Sequence, residues 1–301
     1  MRSSFILAAA FFLFAALGNA QECLKLTPEI KPVLSAETKK IYDLKLAEAF
    51  VEYTRKKEDA DSTIWLGRRT AYLGNYKDAI RIYGKGLIRF PNDARLWRHR
   101  GHRFITRRCF DEAIRNLKKA VELIKGKPDQ PEPDGIPNAK NMPVSTLQTN
   151  IWYHLGLAYY LKGDYANASL AYEEGLKIAK NADMRTAFVY WEYLTLRKLD
   201  KDEQAKKLLE TIPANTVVIE NGDYLKLIEM FKGKTTPQEL YSANEKNSTI
   251  LYGVGSFYLL SGHKEKGAVI FKKLTEGDQW ANFSYIAAET YLKRNETMLK
   301  K

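Results

Sequence analysis

Arg95, Arg98, His99 and His102 stand at i, i+3, i+4 and i+7. On a helix that spacing puts four cationic or titratable side chains on one face. Trp97, Gly101 and Phe104 fall on another face and read as packing residues. Guanidinium forks take carboxylates bidentately, and flat rings add contact area at little entropic cost. A basic stripe beside aromatics therefore suits an acidic peptide or a carboxylate terminus. The competing reading is a solvated basic face over an ordinary core. Three histidines, His99, His102 and His154, could also converge on zinc, leaving an open position for hydrolysis. The surrounding Arg95, Arg98, Arg100 and Arg103 oppose a dication, so neither a metal nor another cofactor is expected. No Gly-x-Ser-x-Gly elbow, His-Glu-x-x-His helix or paired-cysteine motif occurs, and no catalytic residue is assigned. Gly233-Lys234-Thr235 ends like a phosphate loop, but Ile228 stands where that loop needs glycine.

These residues need elements to hold them, and the elements repeat. Gly67 and Gly101 are 34 apart, as are Tyr76 and Phe110, Ala79 and Ala113, and Tyr83 and Leu117. The next copy holds Gly156, Tyr165, Ala168 and Tyr172; its Gly and Ala lie 55 beyond those of the second copy, which is one period plus an insertion of 21. A worn fourth copy puts Ala205 at 37 from Ala168, and a later one carries Gly255, Tyr258, Gly262 and Phe271. The residue types suit pairs of antiparallel helices. Gly67, Gly101, Gly156 and Gly255 allow close helix approach, Gly74, Gly163 and Gly262 fit turns, and Pro91 stops a second helix. No pair buries its apolar face alone, so stacking must create the core.

The pattern resembles the tetratricopeptide repeat family. Residues 149–182 carry it almost throughout, with Trp152, Leu155, Gly156, Tyr159, Gly163, Tyr165, Ala168 and Tyr172; 60–93 and 94–127 carry it well, and the units near 186–213 and 248–275 are worn. The strings RHRGHR (98–103), EPDGIPN (132–138) and NIWYHLGLAYYLKGDY (150–165) further resemble exported bacterial repeat proteins. The family resemblance implies an all-α, right-handed α-solenoid of antiparallel helix pairs whose first helices line a concave groove. Projected onto neighbouring repeats, the basic stripe is then joined by Trp65, Arg68 and Tyr72, by Asn150, Tyr153, His154 and Tyr160, and by Tyr190 and Trp191. Family members that clamp chaperone tails use Lys and Asn at places that here hold Ile64, Arg68, His99, Asn150 and His154. That departure speaks against a chaperone-tail ligand.

The insertion is rich in proline: Pro128, Pro131, Pro133, Pro137 and Pro143 fall within 126–145, with Gly135. Loops this long are uncommon in compact domains unless functional or disordered. One reading is a solvated loop. The other folds it over the groove, with Glu132 or Asp134 pairing with Arg95 or Arg98 as a lid or internal ligand mimic.

Arg2, an apolar run from Phe5 to Leu17 and the small residues Gly18-Asn19-Ala20 read as a cleaved secretory signal. The run is too short to span a bilayer, which takes about 20 residues, so no transmembrane anchor is expected in the mature chain. Glu22 before Cys23 departs from a lipobox. Export to a periplasmic or external space, in a bacterium by the resemblance, would let Cys23 and Cys109 pair; a buried Cys109 with a free Cys23 is the other possibility. The chain of 301 residues has a net charge of +12. Export makes nucleic acid a poor partner for that charge, leaving a protein or peptide partner with an acidic segment. The expected organisation is a signal (1–20), an N-terminal segment with a capping helix (21–59), repeats 1–2 (60–127), the proline-rich insertion (128–148), repeats 3–4 (149–213), a degenerate helical segment (214–247), and a final repeat with a closing helix (248–301). In the capping helix Ile41, Leu44, Leu46, Ala49, Phe50 and Tyr53 are the apolar positions; Trp280, Phe283, Ile286, Ala287 and Tyr291 mark the closing one. The expected function is an exported, non-catalytic scaffold binding an acidic segment in the groove. The alternatives are a hydrolase-like or metal-dependent activity at the His/Arg cluster, and a structural role through the convex face.

Overall fold

The computed structural model describes residues 22–296; the expected signal, 1–20, lies outside them. Helix pairs succeed one another: α1 (Ala36–Arg55), α2 (Ala60–Tyr72), α3 (Tyr76–Arg89), α4 (Ala94–Thr106), α5 (Phe110–Ile124), α6 (Leu147–Lys162), α7 (Tyr165–Ile178), α8 (Ala182–Lys198) and α9 (Asp202–Glu210). They continue through α10 (Gly222–Phe231), α11 (Pro237–Ser242), α12 (Ser248–Leu260), α13 (Lys264–Thr275) and α14 (Phe283–Arg294). Each helix packs on the next along α1–α9 and α12–α14, as in an all-α solenoid. Among the described residues the only β contact is an isolated bridge between Pro131 and Thr146.

The repeat anchors act at the helix crossings. A Cβ on Gly67 would come within 2.3 Å of the Tyr83 ring, and one on Gly156 within 2.4 Å of Tyr172. Polar side chains start the helices: Asp59 accepts from the amides of Asp61 and Ser62, and Thr146 and Thr149 form a reciprocal capping box. The turn inside each pair passes through a left-handed residue, with φ of 80° at Gly74, 88° at Gly163 and 85° at Gly262. Arg108 (φ 59°) and Asp200 (φ 56°) hold the same place in their pairs. An L-residue there costs on the order of 1–2 kcal/mol, so Arg108 must be held by what its side chain reaches.

The two ends fold back on the array. Cys23 and Cys109 are joined, with Cα atoms 5.8 Å apart. Arg107, 0% exposed, donates to the carbonyls of Leu24, Thr27 and Pro28. Helix α1 turns Tyr42, Leu46, Ala49 and Tyr53 toward α2 and leaves Ile41, Leu44, Phe50 and Val51 exposed. Of the apolar positions expected in the capping helix, Ile41, Leu44 and Phe50 are therefore not covered. An end helix has one neighbour, so half of its apolar residues find nothing to cover them. At the other end α14 packs on α12 and α13 and also reaches α6. Trp280 and Tyr285 join the core of the first repeat beside Ile64, Tyr76 and Tyr83. Arg108 Nε meets Glu289 Oε2 at 2.7 Å, its Nη2 donates to the Trp280 carbonyl at 2.9 Å, and its guanidinium lies 3.7 Å from the Trp280 ring centroid. The closing helix is thus tied to the second repeat as well as covering the last.

Candidate functional site

The i, i+3, i+4, i+7 stripe of α4 divides into three environments. Arg95 stays at the rim, where Asp93 accepts from it at 2.6 and 3.0 Å and Asp61 pairs with it. Asp93 first, then Asp61, hold that guanidinium firmly charged. Arg98 and His99 are buried. His102 lies one turn further on, with its ring centroid 4.3 Å from His154 and 5.2 Å from Phe283 of the closing helix.

The insertion lies against this face. Its two ends are zipped together: Leu147 N donates to Gln130 O at 2.9 Å and Glu132 N to Ser145 O at 3.1 Å. Asn138 closes its tip by accepting from the amides of Lys140 and Met142. Glu132, 8% exposed, puts Oε1 3.0 Å from Arg98 Nη2 and 3.6 Å from His99 Nε2. Farther along the segment, Arg68 Nη1 donates to the Pro133 carbonyl and Arg69 Nη1 to that of Gly135, each at 2.8 Å. Gly135 sits so close that a Cβ would fall 1.5 Å from the Tyr72 hydroxyl. Trp65 lies beneath both guanidiniums, 4.5 Å from Arg68 and 4.8 Å from Arg69. The segment also touches the second half, through Asn138 to Glu220 at 2.6 Å and the Val144 carbonyl to Asn181 at 2.7 Å. Asp134 is half-buried and makes no ion pair with a described residue; burial raises its pKa and Arg68 opposes the rise.

Positive charge exceeds negative here. Burial lowers the pKa of Arg98, with Glu132 offsetting part of the effect, and it also lowers that of Arg103. Burial, assisted by the neighbouring guanidiniums, pushes His99, His102 and His154 well below the ordinary histidine range, so all three are neutral at pH 7. Arg98 Nη1 is 2.9 Å from His99 Nδ1, which makes Nδ1 the acceptor. Arg98 Nε and Glu132 Oε2 are buried without a hydrogen-bond partner. Beside the pair is a cavity of about 200 Å3, lined by Ile64, Trp65, Arg68, Arg95 and His99 on the helix side and by Gln130–Pro133 on the segment side. Among the described residues no group of three or more His, Cys, Asp or Glu side chains gathers to hold a metal ion.

The remaining residues projected onto the groove lie deeper. Asn150 donates to Ser145 Oγ at 2.9 Å, and its carbonyl lies 2.6 Å from His154 Nδ1. Tyr153, Tyr160, Tyr190 and Trp191 are interior residues. Trp191 Nε1 donates to the hydroxyls of Tyr153 at 3.0 Å and Tyr224 at 3.2 Å, and Tyr160 meets Tyr252 at 2.8 Å. Helices α10 and α12 cover the face that the projection left open, because the later units curl across it. Sequence reasoning missed Arg69, Gly135 and Phe283 as parts of the site. Arg69 is offset from the repeating stripe, and Gly135 and Phe283 come from outside the repeats.

The family model for the tetratricopeptide repeat matches residues 149–182. No curated protein matches the chain. Among solved structures, it aligns with YrrB, a TPR protein with an unusual peptide-binding site, at 13% identity and a TM-score of 0.43, covering 81% of this chain and 97% of that one. Naa15/Naa10 bound to HypK-THB aligns at 15% identity and a TM-score of 0.37, over 86% of this chain and 39% of that one. The TPR domain of P58(IPK) aligns at 11% identity and a TM-score of 0.26, over 85% of this chain and 94% of that one.

Proposed function

For this chain, a tetratricopeptide-repeat solenoid, we propose a scaffold role: its first two repeats bind an extended acidic segment of a protein partner, and the proline-rich insertion holds the site in the partner's absence. One observation carries the reading. A carboxylate, Glu132, lies buried against Arg98 and His99, while Arg68 and Arg69 take main-chain carbonyls one and three residues further along the same strand-like stretch. A cationic face that reads a carboxylate and then successive carbonyls is suited to a peptide of that pattern from any source. The unpartnered Arg98 Nε and Glu132 Oε2 argue that the internal segment fits less than fully.

Export is part of the proposal. The signal-like first twenty residues support it, as does the Cys23–Cys109 disulfide, a bond that persists outside the reducing cytosol. The experiment uses the chain purified in its oxidised form. A labelled peptide of residues 128–146 is titrated by fluorescence anisotropy onto wild type and onto a variant lacking residues 129–141. Tight, salt-sensitive binding to the deletion variant, weak binding to wild type, and loss of binding when Arg98→Ala is added are expected. A deletion variant that folds and does not bind the peptide sinks the reading.

A further inference from the structure

We propose that the outer face of α1 joins two copies of this chain as an antiparallel, two-fold helix pair. The residues that α1 turns away from α2 fall at Glu37, Ile41, Leu44, Glu48, Val51 and Arg55. Their alternating spacing of four and three is that of a helix–helix seam. Ile41, Leu44 and Val51 are 44%, 57% and 54% exposed. A stretch of three large aliphatic residues on one exposed face is unlike the scattered singles of an ordinary surface.

Charge fixes the occupant. A parallel copy in register sets Glu48 on Glu48 and Arg55 on Arg55, like charge against like. An antiparallel copy centred at position 46 sets Ile41 against Val51 of the second copy and Glu37 against its Arg55, with the two-fold axis repeating each contact. In the same register Lys40 faces Glu52 of the second copy, and Glu48, opposite Leu44, comes within reach of Lys45. Within one chain, Glu37, Lys40, Lys45 and Glu48 make no ion pair within 4 Å among the described residues, Glu48 acting only at longer range on Arg69; the pairs along α1 are Lys39–Asp43 and those of Glu52 with Arg55 and Lys56. A helix that lacks partners for its apolar stripe and its flanking charges finds both in its own inverted copy. The basic site on α2 and α4 plays no part in the contact, so the inference stands apart from the peptide-binding reading.

Sedimentation equilibrium on the full mature chain tests it. Wild type is expected to dimerise reversibly. Leu44→Glu is expected to weaken dimerisation by about 100-fold, because the symmetric seam carries the change twice. Glu37→Arg sets two Arg–Arg contacts and is expected to dissociate the dimer, while Glu37→Arg/Arg55→Glu restores it. These positions are exposed, so unchanged far-ultraviolet circular dichroism is expected for every variant. A monomeric wild type overturns the proposal, including one whose stripe proves to bind lipid vesicles. So does a dimer that survives Leu44→Glu, or one indifferent to the charge reversal and its rescue.

Discussion

The two halves of the solenoid are built from the same helix pair and filled with opposite chemistry. Between α2 and α5 the inner face carries buried guanidiniums and imidazoles, and a loop segment that buries one of its carboxylates, Glu132, closes it. From α6 to α12 the inner face carries tyrosines and Trp191, whose hydroxyl and indole groups largely bond to one another, and the neighbouring helices close it. An aromatic interior of that kind opens only by unpacking helices. A cationic interior under a segment opens by moving the segment. Under the proposed function, ligand exchange falls to the first half and rigidity to the second.

The largest effect expected from breaking this division is in the second half. Trp191→Ala removes a 0% exposed indole and two hydrogen bonds, and should cost about 3–5 kcal/mol in denaturant unfolding. A cost under 1 kcal/mol would mean that the aromatic interior is loosely packed. Next, Cys23→Ser/Cys109→Ser opens a ring, closed across a separation of 86 residues, that takes in α1–α4 and ends where α5 begins, for a loss of about 2–4 kcal/mol. Amide exchange should place that loss in α2–α5; uniform loss over all helices would contradict two separable halves.

Acid should separate the halves by sign. His99, His102 and His154 are neutral when folded and take up protons once unfolded, so the unfolded chain binds more protons below about pH 6.5. Through His99 and His102 first-half stability therefore falls with falling pH, at up to about 1.4 kcal/mol per unit for each, and His154 of α6 adds the same loss at the border of the second half. Glu192 in α8 behaves in reverse. Burial raises its pKa from 4.5 to about 7, and a hydrogen bond from Ser169 partly opposes that. Its contribution is present in full below the unfolded value and is lost as pH rises through 7. Glu192→Gln should flatten the second-half profile and leave the first-half profile unchanged. The smallest effect expected is Gly135→Ala: its Cβ meets Tyr72 and Arg68, and lifting the segment should raise proteolysis at Lys140 by on the order of tenfold, a local opening of about 1.4 kcal/mol. Equal cleavage of the two proteins would show that the segment is already free.

What could be read from the residues alone follows from how local the physics is. Gly67 with Tyr83 and Gly156 with Tyr172 are contacts inside one helix pair, so they recur at a fixed spacing and announce the architecture. The basic stripe of α4 was legible for the same reason, and the pairing of Glu132 with Arg98 could be posed from the charges on either side of the insertion. The depth of Tyr160, Tyr190 and Trp191 could not be, since it depends on α10 and α12 curling over them. Nor could the role of Arg107, whose partners are main-chain carbonyls about 80 residues away and carry no side-chain signature. The state of the two cysteines was open for a related reason: their pairing depends on where the N-terminal segment runs.

Arg108 has a mechanical consequence. A linear array in which each pair touches only its neighbours behaves as a spring: it stretches, twists and frays from its ends at little cost. Here a residue at the strained turn of the second pair grips Trp280 and Glu289, 172 and 181 positions along the chain. That grip joins distant coils in parallel with the turns between them, so tension applied at the two ends bears on the clasp before it can uncoil the repeats. An array clasped in this way yields in one step rather than gradually, and its curvature is set by the clasp rather than by the sum of small rotations from pair to pair.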